Sequence, residues 1–81
     1  MLDELKTEKK VVGIKQLRRA LTDQTAELVF LAKDADPALT EPLMVQCREG
    51  GVEVVSDVTM AELGKACGIS VGAAAAAILR R

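Results

Sequence analysis

Apolar and polar positions near the start of the chain predict a short strand followed by an amphipathic helix. Val11-Val12 is an apolar pair, and Gly13 follows it where a turn is needed. The apolar residues that come next recur at the spacing of one helix face, and they are Ile14, Leu17, Ala20 and Leu21. The opposite face is polar and basic, with Lys15, Gln16, Arg18 and Arg19. We expect this helix to end near residues 22–24, and residues 2–7 to form a short helical turn before the strand.

The middle of the chain has the pattern of two strands joined by a helix. Residues 28–32 form a continuous apolar run that suits a strand buried on both faces, and residues 52–55 form the second strand. Pro37 suits the first turn of the intervening helix, with Asp36 as its N-cap, and Gly50-Gly51 ends it. The apolar positions of this helix are Leu39, Leu43, Met44 or Val45, and Cys47. This order predicts two parallel strands with a right-handed crossover.

The last third of the chain predicts a short helix, an apolar loop and a final strand. Ser56 or Thr59 can cap a helix over residues 60–67, and Thr59 with Glu62 fits a capping box. The expected buried stripe of this helix is Leu63, Ala66 and Cys67. A glycine ends the helix, and residues 69–72 form an apolar loop. We expect the alanine-rich residues 73–79 to form a strand despite their helix propensity, because a central strand beneath helices needs small side chains.

Length and composition favour one small folded unit. The alternation of strands and helices predicts a three-layer α/β/α sandwich with a four-stranded mixed sheet, built as a single domain over residues 1–81. Hydrophobic residues make up 49% of the 81 residues, so a core can form. Phe30 is the only aromatic residue and histidine is absent. These absences argue against base-stacking platforms and remove the commonest general base and metal ligand, so we expect neither a metal nor a cofactor.

The cysteines and the longest apolar run bear on the compartment of the protein. Cys47 and Cys67 lie among apolar helical positions and do not form a CxxC pair, so buried free thiols are favoured over a metal or redox site. The apolar run at residues 71–79 is too short to cross a membrane, and no signal peptide is recognisable. We therefore expect a cytoplasmic protein.

The formal net charge is −1, but the charge is segregated along the chain. Residues 1–20 hold six basic and three acidic side chains, residues 21–64 hold two and nine, and residues 65–81 hold three and none. If the two ends meet in space, they form a positive face on an acidic body, which would attract phosphate. Lys15 lies in a first helical turn, where acids are preferred and free N–H groups suit an anion. A solvated basic helix face is the alternative.

Three patterns suggest catalysis, and each has a simpler explanation. The first consists of Gly64, Gly68 and Gly72. It matches no phosphate-binding loop, and helix-end and turn glycines explain it. Asp34 and Asp36 have no partner lysine or third ligand in the pattern, so a loop residue and a cap explain them. Ser70 has no histidine to activate it. We therefore predict that the protein is not an enzyme.

Three segments of the chain carry a family resemblance. They are GIKQxxRAL at residues 13–21, LVFLAKDADP at residues 28–37 and LGKACGISVGAA at residues 63–74. Their order and spacing resemble those of the L-seven-Ae family, ribosomal and small-nucleolar proteins that bind kink-turn RNA. The chain is most similar to the small bacterial, ribosomal-protein-like members of the YbxF type. The resemblance covers nearly the whole chain, and it implies an α/β/α sandwich, in agreement with the hydrophobic pattern.

The resemblance also implies which residues would contact RNA. They are Gly13, Lys15, Gln16, Arg19, Asp36, Lys65, Ile69, Ser70, Val71, Gly72 and Ala73. Gly13 would allow a close approach of the backbone, and Lys15 and Gln16 would reach guanine edges in tandem G·A pairs. Arg19 would hold a phosphate. In archaeal and eukaryal members of the family, Asn-Glu usually stands in place of Lys15-Gln16.

The loop before the last strand is the second implied contact. Asp36 and the loop Ile69–Ala73 would meet the base that protrudes from the kink, and Lys65 would add a phosphate contact. The resemblance thus predicts a monomeric, non-catalytic protein that recognises kink-turns in ribosomal or regulatory RNA and stabilises the bent form, with the ribosome as one candidate location. The alternative is a protein-interaction module that uses the loop Ile69–Ala73 as an exposed apolar patch, with a solvated basic helix. Packing of the loop against the fold is the third interpretation.

Overall fold

Helices and strands alternate along the chain in the order that the sequence predicts. A computed structural model describes residues 4–7 and 9–80. The elements are α1 (Glu4–Thr7), β1 (Lys10–Val12), α2 (Ile14–Thr22), β2 (Ala26–Ala32), α3 (Pro37–Gly50), β3 (Glu53–Val58), α4 (Met60–Ala66) and β4 (Ala75–Leu79). The turn predicted at residues 2–7 is helical over Glu4–Thr7, and residues 2 and 3 lie outside the described ranges.

The four strands form one mixed sheet in the order β1-β4-β2-β3. The last strand, β4, lies between β1 and β2 and runs antiparallel to both of them. The strands β2 and β3 are parallel, and the helix α3 connects them. The predicted four-stranded mixed sheet and the predicted parallel pair are therefore confirmed.

Two hydrophobic clusters cover the two faces of this sheet. Because successive strand residues point to opposite faces, β2 divides its side chains between the clusters. Leu28 and Phe30 pack with the side of α1 and α4, while Val29 and Leu31 pack with the side of α2 and α3. All four of these side chains are buried. The result is the predicted three-layer α/β/α sandwich.

The alanine run forms the central strand β4, as the sequence analysis predicted. Ala75, Ala76 and Ala77 have no exposed surface, because helices cover both faces of the strand and two neighbouring strands pair with its edges. The strand is shorter than predicted, however, since it begins at Ala75 rather than at residue 73. The backbone N–H of Ala73 donates instead to Met60 O at 3.0 Å, so this residue belongs to a contact with α4.

The ends of β2 and β3 differ from the predicted ends because polar residues interrupt the apolar pattern. The strand β2 begins at Ala26, which pairs with Leu79 across a register shift, although the exposed Glu27 follows it. The strand β3 continues to Val58, which pairs with Ala32, past two exposed polar residues. A search for continuous apolar residues misses both extensions.

The helix α3 buries only part of the apolar set predicted for it. Leu43 and Cys47 are buried and Met44 is half-buried, as expected. Leu39 is 46% exposed, so its prediction as an apolar core position is wrong, and of the alternatives Met44 and Val45 it is Met44 that packs on the core, since Val45 is 51% exposed. Val45 lies on the face opposite to Cys47, and Leu39 lies in the first turn. At 14 residues α3 is far below membrane-spanning length, and none of the helices in the described residues could span a membrane.

The two cysteines are buried on opposite faces of the sheet. Cys47 packs in the cluster beneath α2 and α3, and Cys67 packs in the cluster beneath α4. Both are free thiols, as the sequence predicts. Burial raises the pKa of both thiols, and for Cys67 the positive charge of Lys10 partly opposes this rise. A thiol with a raised pKa is a poor nucleophile at neutral pH, which fits a packing role for both residues.

Candidate nucleic-acid interface

Four connecting segments meet at one end of the sheet. Because β4 runs opposite to the other three strands, its start lies where those strands finish. Three backbone hydrogen bonds join these segments: Gly13 N–H to Ala75 O at 2.8 Å, Ala32 N–H to Ala74 O at 2.9 Å, and Lys33 N–H to Val58 O at 2.8 Å. We call this end the site end, and it includes residues 13–16, 33–36, 59–60 and 69–74.

Gly13 begins the helix α2 in a conformation that suits only glycine. Its φ of 110° lies in a region that residues with a side chain rarely adopt. A Cβ at this position would also stand 2.6 Å from Gln16 Oε1, so the Gln16 side chain lies directly against the Gly13 backbone. The first intrahelical bond is Leu17 N–H to Gly13 O at 3.0 Å. The missing side chain at this N-cap leaves the start of α2 open to an approaching ligand.

The exposed face of α2 is a basic groove. Leu17, Ala20 and Leu21 are buried and fix the helix to the sheet. A groove of about 470 Å³ runs along the outer side and is lined by Lys15, Gln16, Arg18, Arg19 and Thr22. The first helical turn holds no acid, so its partial positive charge adds to that of the basic side chains. The groove is therefore suited to an anionic ligand.

Arg19 has one ion-pair partner on the same helix face. Arg19 Nε lies 3.8 Å from Asp23 Oδ2, and the two side chains are 86% and 56% exposed. Exposed pairs of this kind contribute little to stability, because water and salt screen them. A phosphate can therefore replace Asp23 at Arg19 for a small cost.

The backbone of the loop Ile69–Ala73 packs against α4, and two of the loop's apolar side chains are exposed. Ile69 N–H donates to Gly64 O at 3.1 Å, and Ala73 N–H donates to Met60 O at 3.0 Å. Ala73 is buried, whereas Ile69 is 39% and Val71 is 69% exposed. The sequence left open whether this loop is packed or exposed, and both interpretations apply to different parts of it. Ser70 and Gly72 are exposed as well.

One of the three spaced glycines has a different role from the predicted one. Gly64 lies inside α4 and is buried, so its assignment as a helix-end or turn glycine is wrong. A Cβ on Gly64 would overlap the carbonyl oxygen of Val71 and stand 3.1 Å from Gly72 Cα. Gly68 follows the C-cap of α4 with a φ of +77°, which agrees with the prediction. Gly64 is thus one of two positions, with Met60, at which the loop Ile69–Ala73 touches the helix.

The two aspartates after β2 have separate partners. Asp36 is the N-cap of α3, as predicted, and its Oδ1 accepts from Ala38 N–H at 2.9 Å. Asp34 Oδ1 instead accepts from Met60 N–H at 2.7 Å, which joins the β2–α3 loop to the start of α4. This contact does not follow from the sequence, because Asp34 and Met60 are 26 positions apart and come together only through the parallel pairing of β2 and β3.

The start of α4 also carries the predicted capping box. Glu62 Oε1 accepts from Thr59 N–H at 2.9 Å, and Thr59 Oγ1 accepts from Glu62 N–H at 3.1 Å. Hydrogen bonding to the Glu62 carboxylate holds its pKa below the ordinary value of 4.5, and the backbone N–H of Thr59 is the larger cause, followed by the Thr59 side chain. The helix that carries the loop Ile69–Ala73 is therefore fixed at its first turn.

Lys65 and the chain ends do not join the groove on α2. Lys65 is exposed in the last turn of α4, and α4 packs on the face of the sheet opposite to α2. The ends of the described chain meet, since Leu79 N–H donates to Lys9 O at 2.8 Å. Arg80 nevertheless lies at the far end of β4 from Ala75. The predicted positive face therefore divides into the α2 groove and a separate basic region at the opposite end of the sheet.

Together the fold and the site end define a small α/β/α protein that presents a basic helix start and an apolar loop at the same end of its sheet. The model of the Ribosomal protein L7Ae/L30e/S12e/Gadd45 family matches residues 2–81, so the chain belongs to this family. An RNA-binding protein from Geobacillus sp. (strain WCH70) is 47% identical over 76 residues, covering 94% of this chain and 93% of that protein. The RNA-binding protein YbxF from Geobacillus stearothermophilus is 46% identical over 76 residues, with the same coverage.

A solved structure has the same fold. The Giardia lamblia 15.5kD RNA binding protein superimposes with a TM-score of 0.91 and 29% sequence identity, covering 99% of this chain and 71% of that chain. The family resemblance seen in the sequence is therefore confirmed, and so is the fold class. The family is non-catalytic, which confirms the prediction that the protein is not an enzyme.

Proposed function

We propose that this protein binds structured RNA that contains a kink-turn and stabilises the bent form of that RNA. The observation that carries the proposal is the position of two unlike surfaces at the site end. The Gly13 N–H to Ala75 O bond places the basic start of α2 beside the segment that leads from the loop Ile69–Ala73. RNA-binding relatives with 46% and 47% identity support the same conclusion.

The start of α2 would read the RNA duplex next to the kink. Gln16 can donate and accept hydrogen bonds, so it can recognise the edge of a base, and Lys15 can reach guanine acceptors. Gly13 has no side chain to hold the duplex away. Arg19 lies further along the same groove, where it would hold a phosphate. The groove thus divides into a base-reading part and a positioning part.

The loop Ile69–Ala73 would cover the base that leaves the stack at the kink. The exposed side chains of Ile69 and Val71 offer apolar surface to that base, and Asp36 stands at the same end of the sheet as a hydrogen-bond acceptor. A ligand that binds one conformer better shifts the population toward it. Contacts on both sides of the kink require the bent RNA, so binding favours that form.

The remaining expectations belong to the same proposal. The protein would act in the cytoplasm as a monomer and a single domain over residues 1–81, on ribosomal or regulatory RNA, and Lys65 would add a phosphate contact from α4. The family name supports the ribosome as a candidate location. Crosslinking of the protein in cells, followed by sequencing of the bound RNA, identifies the target.

A second candidate function is a protein-interaction module. The 69% exposure of Val71 favours it, because an apolar side chain at a loop tip also suits a protein partner. In that case the basic groove on α2 would be a solvated face. Binding to RNA would then be weak and would not distinguish one RNA shape from another.

A mobility-shift titration separates the two candidates. The titration compares a kink-turn duplex with a plain duplex of equal length at the same salt concentration. We expect the kink-turn duplex to bind at least about tenfold more tightly, a difference of about 1.4 kcal/mol. Equal binding to both duplexes, or no binding to either, would contradict kink-turn recognition.

A further inference from the structure

A carboxylate after β2 fixes the start of α4. Asp34 Oδ1 accepts from Met60 N–H at 2.7 Å. The preceding residue, Lys33, donates its backbone N–H to Val58 O at 2.8 Å. Two consecutive residues of the β2–α3 loop therefore bond to the end of β3 and to the first residue of α4. The loop and the helix start are held at a fixed distance from each other.

Asp34 accepts a hydrogen bond from a backbone N–H of α4, that of Met60, which the capping box does not satisfy. The box satisfies the backbone N–H groups of Thr59 and Glu62. The first N–H groups of a helix have no partner within it, so Met60 N–H needs one from elsewhere. Asp34 supplies that partner from a different element. Removing the carboxylate would leave Met60 N–H without this partner and would break the side-chain bond between the β2–α3 loop and the helix start.

Met60 in turn holds the end of the loop Ile69–Ala73. Its carbonyl oxygen accepts from Ala73 N–H at 3.0 Å. The Gly72 backbone passes so close that a Cβ on it would stand 3.2 Å from Met60 Cβ. Met60 therefore fixes the end of the loop at residues 72 and 73, directly after the exposed side chain of Val71, while Gly64 holds its start.

We propose that Asp34 is a positioning residue for RNA binding, which acts through Met60 to hold the loop Ile69–Ala73 in place. This inference rests on the proposed function. When only a fraction of molecules has the loop in place, the apparent dissociation constant rises by the inverse of that fraction. A loop held in about one molecule in ten would thus bind RNA about tenfold more weakly.

Three variants separate the hydrogen bond from the charge. Asp34→Ala removes both the acceptor and the charge, whereas Asp34→Asn removes the charge but keeps an acceptor oxygen. Asp57→Ala is the matched control, because it removes an exposed carboxylate near the same end of β3. Loss of a negative charge near RNA favours binding by itself. Electrostatics alone therefore predicts that Asp34→Ala binds RNA more tightly. Weaker binding of this variant would have to come from the lost hydrogen bond.

The first measurement needs no RNA. Amide hydrogen exchange, followed by NMR on the free protein, reports whether the Ala73 N–H stays bonded. We expect exchange at Ala73 to become at least about tenfold faster in Asp34→Ala, with the amides of β2 unchanged. Asp34→Asn and Asp57→Ala should exchange like the original protein. Unchanged exchange at Ala73 in Asp34→Ala would overturn the positioning role.

The second measurement is affinity for a kink-turn duplex and a plain duplex. We expect Asp34→Ala to bind the kink-turn duplex about tenfold more weakly and the plain duplex unchanged, while Asp34→Asn and Asp57→Ala lose no affinity. Undiminished kink-turn affinity in Asp34→Ala, or an equal loss in Asp34→Asn, would overturn the inference. If the original protein itself binds both duplexes equally, the proposed function fails, and the exchange at Ala73 still decides whether Asp34 holds the loop.

Discussion

Two glycines mark the places where the backbone of one element touches another part of the chain. Gly13 has a positive φ, and the Gln16 side chain lies against it. Gly64 is buried in α4, and the carbonyl of Val71 occupies the space that a Cβ would need. At both positions a hydrogen in place of a side chain sets the shape of the site end. A glycine inside a helix is otherwise unfavourable, so a local cost accompanies Gly64, whereas Gly13 is an N-cap.

Replacing Gly64 should show that the loop Ile69–Ala73 depends on this close contact. In Gly64→Ala, overlap with Val71 O should cost about 1–3 kcal/mol, which exceeds the gain of about 1 kcal/mol in helix propensity. Gly50→Ala is the matched control in α3, since a Cβ there meets Val52 Cγ2 at an ordinary 3.6 Å. Urea unfolding should show destabilisation for Gly64→Ala and none for Gly50→Ala. Equal stability of the two variants would contradict the contact.

Glu62 should make the start of α4 sensitive to acid. Its pKa in the folded protein is lowered, so its stabilising contribution is complete above its ordinary pKa of 4.5 and is lost as the pH falls through the lower folded value. Glu62→Gln keeps an acceptor for Thr59 N–H but does not titrate. The melting temperatures of the two proteins should differ most near neutral pH and converge as the pH falls below 4.5. A difference that does not depend on pH would contradict this role.

At the scale of the element, α2 combines a structural face and an exposed face. Its apolar stripe of Leu17, Ala20 and Leu21 is buried, and its basic residues line the groove. Substitutions on the exposed face should therefore change binding without changing stability. This separation makes α2 the best place to distinguish base reading from phosphate holding.

Gln16→Ala and Arg19→Ala should have different effects on RNA binding. Loss of a direct base contact costs about 1–3 kcal/mol, so Gln16→Ala should weaken kink-turn binding and leave plain-duplex binding unchanged. Arg19→Ala should weaken both and lower the magnitude of the salt slope by about one. Calorimetry with both duplexes measures these effects, and thermal melts serve as the control. A large drop in melting temperature for Gln16→Ala, or equal weakening on both RNAs, would contradict the assignment to base edges.

Local patterns predict the elements of this protein, and contacts between distant residues do not follow from them. The spacing of apolar residues is sufficient to predict α2, and capping residue types are sufficient to predict the Asp36 cap and the capping box of Thr59 and Glu62. Each of these features depends on neighbours within a few residues. The bond between Asp34 and Met60 depends on how β2 and β3 pair. Likewise, the need for a glycine at position 64 is visible only in the folded protein, where the loop Ile69–Ala73 packs against α4.

The candidate site was predictable as residue types, and its arrangement was not. The cation-rich first turn of α2 and the apolar loop Ile69–Ala73 are visible in the sequence. Their presence at one end of the sheet depends on β4, which inserts between β1 and β2 and brings Ala75, two residues after the loop, next to Gly13. Lys65 shows the limit of the sequence pattern, because α4 lies across the sheet from the α2 groove.

At the scale of the whole molecule, positive charge is divided between two ends of the sheet. Lys15, Arg18 and Arg19 line the groove of α2, while Lys9 and Arg80 lie toward the opposite end. Only the first group is near the proposed RNA surface. A body with an acidic middle section keeps non-specific attraction to RNA low, so affinity should depend on the groove.

The salt dependence of RNA affinity should distinguish the cations of the α2 groove from those at the opposite end of the sheet. The three groove cations, with Lys65 as a fourth phosphate contact, predict a slope of log affinity against log salt with a magnitude of roughly 2–4. Lys15→Gln should lower the magnitude by about one, and Lys9→Gln, at the far end, should leave it unchanged. Titrations at several salt concentrations measure the slope. A slope near zero, or equal effects of the two variants, would show that the groove is not used.

Bending of RNA by the protein tests the central claim most directly. The measurement is energy transfer between dyes on the two arms of a kink-turn duplex, at low magnesium, as the protein is added. Because binding across the kink selects the bent conformer, energy transfer should rise to a plateau at one protein per RNA. A plain duplex with the same dyes should show no change. Binding to the kink-turn without any rise in energy transfer would contradict the account.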